Sequence, residues 1–175
     1  MDRSSACDTV FADAAMIGNL RPASDSEIER LLANPAEITR FLYGAGTDGC
    51  EHVVLNKAWH AIHYVLTGSR LGGDEPLNFL VDEGTPVGEV DVGYGPARVL
   101  TSAQVRRIAE ALAPISPDEI GRRVDVARFD REAIYPGHWQ RNGMGVDDVV
   151  SNYRDMRDLL ARLAEQGQGV VLYIN

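Results

Sequence analysis

Apolar positions recur along this chain with two periods, one helical and one extended. The clearest helical period lies near the C-terminal end, where Val149, Tyr153, Met156, Leu160 and Leu163 repeat at three- and four-residue steps. Arg154 and Asp158 stand one turn apart on the same segment, placed to pair. The run is too short for a coiled coil and predicts an amphipathic helix with one stripe in the core, ended by Gly167 and Gly169. Val170 to Ile174 then form the continuous apolar run of a strand covered on both faces. Val105, Ile108 and Leu112 define a second helical stripe, opened by the capping box Thr101-Ser-Ala-Gln104 and running to Ala113. The same device at Ser24 to Glu27 opens a helix to Ala33. Ser116 with Pro117 opens one to Arg123, and Asn34 with Pro35 opens one to Tyr43. Asp125 caps a short helix before Ile134, and Leu55 to Thr67 forms one more, terminated by Gly68.

Strand-length apolar runs lie at Ala14 to Leu20, Pro76 to Val81, Val87 to Val92 and Ala97 to Leu100. In the third, extended backbone puts Glu89 and Asp91 on one face, opposite Val90 and Val92. Gly93-Tyr-Gly-Pro96 predicts a sharp turn. Gly44 to Cys50 predicts a flexible connector, without the Lys-Ser/Thr ending of a phosphate loop. Residues 1 to 13 carry no period and read as a loosely ordered lead-in. Together the elements predict an α/β fold over residues 14 to 175: a single compact domain with a mixed β-sheet packed against several helices, or strands and helices segregated in the α+β manner.

Composition narrows the class. The 175 residues suffice for one core without disulfides or structural metal. A formal charge of -9, from 26 acidic and 17 basic residues, argues against binding nucleic acid or anionic membrane. Cys7 and Cys50 are too few and too far apart for a disulfide framework or metal motif. No apolar run approaches the ~20 residues of a membrane span, and the first residues lack the apolar core of a signal peptide. The expectation is a cytoplasmic protein, a monomer or weak homodimer.

Several ordered motifs are similar to those of one bacterial family. Met16-Ile-Gly-Asn-Leu, Lys57-Ala-Trp-His-Ala-Ile-His, Leu66-Thr-Gly, Pro76-Leu-Asn-Phe-Leu, Asp91-Val-Gly-Tyr-Gly-Pro-Ala-Arg, Ile134-Tyr-Pro and Leu172-Tyr-Ile-Asn resemble, in that order, the YfbM-like family. The resemblance spans roughly Met16 to Asn175. It implies one compact domain of sheet and helices whose function is unknown, with no catalytic residues to carry over. Family members often show an acid before the Lys-Ala-Trp motif, where this chain has Asn56.

Rare chemistry concentrates between Asn56 and Gly68, which holds the only lysine, one of two tryptophans and two of four histidines. At about 100° per residue, Leu55, Trp59, Ile62 and Leu66 share one side of a helix. Lys57, His60 and Tyr64 share the other, with His63 on the flank. A base, a cation and a phenol on one face suit acid-base chemistry or anion binding, although a solvated face has the same pattern. The working expectation is a cleft for a protein partner or small molecule. Its candidate lining is Lys57, His60, Tyr64, Glu89, Asp91, Tyr94, Arg98, Tyr135, His138 and Trp139. One rival is a hydrolase or transferase with His60 or His63 as base, oriented by Asp91, and Arg98 holding an anion. The other is an acidic adaptor or immunity-type protein that masks a basic partner. His60 and His63 with Asp91, Glu89 or His138 make a weak metal pattern, and Cys50 beside His52 a weak nucleophile pair. No cofactor motif is complete: no Gly-x-Gly-x-x-Gly opens a helix, and Gly-x-Ser-x-Gly is missing. An Asp91 to Arg98 salt bridge pinning the turn is the plainer reading of that stretch.

Overall fold

Five strands pair antiparallel throughout in the order β2-β1-β5-β4-β3, as described by a computed structural model of residues 15–46 and 50–175. In chain order the elements are β1 (Gly18–Ala23), α1 (Asp25–Ala33), a 3₁₀ turn (Pro35–Glu37), α2 (Ile38–Tyr43), β2 (Val53–Asn56), α3 (Trp59–Thr67), β3 (Thr85–Asp91) and β4 (Pro96–Leu100). Then come α4 (Ser102–Leu112), α5 (Pro117–Arg123), α6 (Val126–Arg131), α7 (Val146–Gln166) and β5 (Gly169–Ile174). The expected lead-in, residues 1–13, and most of the glycine-rich connector's tip lie outside the described residues.

The C-terminal strand organises the molecule. β5 sits at the centre, paired with β1 and β4, and its side chains alternate between two cores. Val170 and Leu172 join Leu20 and Leu100 on the face covered by α3, α4 and α7. Val171 and Tyr173 join Ala23, Ala97 and Val99 on the face covered by α1, the 3₁₀ turn and α2. A strand buried on both faces must be apolar at consecutive positions, which is why its sequence shows no alternation. Each fully buried aliphatic side chain here contributes roughly 1.5–3 kcal/mol by leaving water.

Capping chemistry fixes the helix starts. Ser24 and Thr101 form both halves of their capping boxes, Ser116 and Asp125 accept from early helix N–H groups, and Gly167 ends α7 in left-handed backbone. The stripes Val105, Ile108, Leu112 and Val149, Tyr153, Met156, Leu160, Leu163 are buried as expected.

Four expectations are corrected. The first strand begins at Gly18 and continues through Arg21 and Pro22, because six residues from Gly18 to Ala23 pair with β5. Residues 53–56 form β2 where a helix was expected to start at Leu55; Asn56 takes φ 49° and the helix starts only at Trp59. Pro76 to Val81 is a series of turns, whose carbonyls bond to a side chain where a strand would pair them. In β3 the simple alternation fails: Val87 and Val92 are both buried although an odd number of steps apart, with Gly88 at φ 58° between them.

Candidate functional site

Helix α3 is buried along almost its whole length, from His60 to Leu66, so it has no polar face open to water. This corrects the expected division between a core side and a functional side. The layer over its second face is the protein's own chain: residues 69–83 and the 132–135 turn.

His60 is held by both ring nitrogens. Nδ1 accepts from the Tyr135 N–H at 2.9 Å, so Nε2 carries the proton and donates to the Arg70 carbonyl at 2.8 Å. A second proton would place a new N–H against the N–H of Tyr135. Burial lowers the pKa of His60, partly offset by the Arg70 carbonyl. Trp59 stacks on His60 at 5.1 Å and on Tyr135 at 5.8 Å, and donates Nε1–H to the Met16 carbonyl. Tyr135 returns to the same segment, its hydroxyl accepting from the Met16 N–H at 2.7 Å.

His63 is fully buried, and neither ring nitrogen has a hydrogen-bond partner. The Gly72 carbonyl approaches the ring without completing a bond. Burial first, and the neighbouring His60 second, push its pKa down to about 4. Tyr64 is locked from the other side: its hydroxyl donates to Glu132 at 2.7 Å, and Glu132 accepts from Arg128 at 2.8 Å.

The remaining candidates fall in three places. Asp91 is exposed and folds back on its own turn, accepting from the N–H groups of Gly93 at 2.8 Å and Gly95 at 3.0 Å. Glu89 is exposed beside it. The expected Asp91 to Arg98 bridge does not form. Arg98 instead donates to the carbonyls of Phe79, Leu80 and Glu83, tying the 79–83 turns to β4. Trp139 is core, fully buried with Nε1–H on the Ile134 carbonyl, while its backbone N–H caps on Asp130. His138 is exposed, and Lys57 is half-buried with no hydrogen bond or ion pair to another described residue. Cys50 is exposed, and the His52 ring meets the Cys50 carbonyl rather than its thiol. Among the described residues no three His, Cys, Asp or Glu side chains are arranged to hold a metal ion.

A cleft of about 220 Å³ brings part of the candidate set together. Trp59 from α3 and Tyr94, Pro96 and Arg98 from the β3–β4 region line it, with Leu71, Leu80 and Val81 from the covering segment and Leu172 to Ile174 from β5. Leu71, Leu80 and Val81 carried no sequence signal, since their role depends on where an irregular segment lands. A larger recess of about 520 Å³ lies across the molecule, among Arg21, Glu27, Arg30, Glu37, Arg40 and Phe41. Most of its charges are already engaged: Arg30 pairs with Glu37 at 3.2 Å, Arg21 lies over the Phe41 ring, and Glu27 caps Ser24. It is a solvated hollow rather than a formed site.

The architecture is an antiparallel sheet with helices on both faces, joined in one compact unit. The chain matches the model of a domain of unknown function, DUF1877, over residues 15–173, and belongs to that family. The crystal structure of YfbM, a protein of unknown function from Escherichia coli, is similar with a TM-score of 0.63 and 21% sequence identity. That likeness covers 91% of this chain and 100% of that one. At that identity it shows the fold alone, and it agrees with the YfbM-like resemblance of the motifs. Comparison with curated proteins gave no match. No helix among the described residues is long and apolar enough to cross a membrane.

Proposed function

We propose that this domain binds a small molecule in the cleft between Trp59, Leu71, Tyr94 and Arg98. One observation carries the reading. Of the five large apolar side chains left exposed among the described residues, two line this one cleft: Leu71 at 70% and Tyr94 at 43% exposure. Apolar rim groups over a recess floored by Leu80 and Leu172, with the cation Arg98 at its edge, match the composition of ligand sites. The volume lies below the ~300–1,000 Å³ of sites for drug-sized ligands, so the ligand is one ring or one short chain. Catalysis by imidazole has less support. Neither His60 nor His63 lines the cleft, and neither is hydrogen-bonded to a carboxylate.

The test is a titration of isotope-labelled protein with a panel of small aromatic and aliphatic fragments. Amides of residues 71, 80, 94 and 172–174 should shift together and saturably. Shifts confined to other surfaces, or none at all, would sink the reading.

A further inference from the structure

The cleft contains a charge that no described carboxylate meets in an ion pair. Arg98 sits in register with Leu172 on β5, on the face that carries the helix-side core, and reaches under the 79–83 turns. Its Nη1 donates to Phe79 and Glu83 and its Nη2 to Leu80 at 2.7 Å, so all its partners are neutral carbonyls. A guanidinium has five N–H donors. Nε–H and one Nη2–H are not engaged by any described residue, and no described carboxylate stands within 4 Å to form an ion pair. Asp82 acts on it only from farther away, and burial lowers its pKa. A cation partly withdrawn from water and facing carbonyl dipoles alone favours an anion more strongly than an exposed arginine does.

We infer that the cleft selects a small carboxylate with an apolar body, its carboxylate on the spare N–H groups of Arg98 and its ring or chain between Trp59, Leu71 and Tyr94. The inference rests on the cleft reading above and adds the ligand's chemical class. A planar monoanion fits because a carboxylate takes two parallel N–H bonds from a guanidinium, whereas a larger polyanion would have to enter an apolar passage of about 220 Å³. The net charge of -9 adds a requirement: an acidic protein does not gather anions by its overall field, so selection has to be local.

Deleting Arg98 would also free three carbonyls, so the charge is tested on the ligand and on the rim. Phenylacetate, its neutral isostere phenylacetamide, and indole are titrated against labelled wild-type and Leu71→Glu protein, following amides 71, 80, 94 and 172–174. Phenylacetate should bind about tenfold or more tightly than phenylacetamide, as expected for a hydrogen-bonded charge. Leu71→Glu should retain the wild-type melting temperature and lose that preference, because a fixed carboxylate at the rim repels the ligand or takes its place. Equal affinity for all three probes would overturn the carboxylate assignment and leave the cleft as a neutral apolar site. No cleft shift by any probe would overturn both.

Discussion

Nδ1 of His60 accepts the backbone N–H of Tyr135 at 2.9 Å, a bond that joins α3 to a turn 75 residues later in the chain. With Nε2 on the Arg70 carbonyl, one imidazole holds two irregular segments against the helix. His60→Ala removes both bonds and leaves a buried N–H and a carbonyl without partners. We predict a loss of about 2–4 kcal/mol in urea unfolding. An unchanged melting temperature would return His60 to an open site.

His63 gives the opposite prediction, because it makes no hydrogen bond to lose. Its folded-state pKa of about 4 lies below the ordinary value of 6.5, so the unfolded chain takes up the proton first and acid favours unfolding. Its contribution is greatest above pH 6.5 and is lost as pH falls toward 4; His60, also lowered, acts with the same sign. His63→Leu should leave stability at pH 7 unchanged or higher and flatten the decline between pH 6.5 and 5. A steeper decline in the variant would contradict this.

Asp91 acts on the cleft through the turn that carries Tyr94. Asp91→Ala should cost about 1 kcal/mol by freeing the Gly93 and Gly95 N–H groups. Asp91→Asn, which keeps an oxygen at the same place, should cost less. Thermal unfolding of the pair separates a hydrogen-bond acceptor from a required negative charge, since a charge requirement would make the two variants equally unstable.

Gly18 lets β1 approach the start of α3. A Cβ there would stand 2.7 Å from the Trp59 Cβ, closer than packed side chains tolerate. Gly18→Ala should cost roughly 1–3 kcal/mol, and Trp59 fluorescence should report the shift of the indole. Wild-type stability in the variant would show that the contact relaxes without cost.

The helices were legible because their signals are local. A serine or threonine followed three residues later by Glu or Gln, and an apolar stripe over two turns, act within a few residues of chain. The α3 region was not. Strand β2 has only four residues, and Val53 to Asn56 looks like the first turn of the apolar helix that follows. Leu77 to Val81 has the composition of a strand, yet the Arg98 guanidinium takes the carbonyls of Phe79 and Leu80 that a strand would pair. Sequence placed Tyr94 and Arg98 in one candidate set, and both line one cleft; Trp59, which the helical wheel assigned to the core side, lines it as well. It also put His60 and Tyr64 on the side of the helix away from the core and made them candidate lining of a cleft, and both are buried.

The sequence by itself determined the caps, the amphipathic stripes of α4 and α7, the doubly covered C-terminal strand and the family. Each depends on residues a few positions apart or on motif order. Only the tertiary structure decided what covers the polar side of α3, because that cover is residues 69–83 and the 132–135 turn, brought there by bonds to His60, Tyr64 and Arg98. A helical wheel assumes that one side of a helix faces water. Here chain from two distant segments displaces that water, and the arginine expected to pair with Asp91 is left, among the described residues, as the one cation at the edge of an apolar cleft.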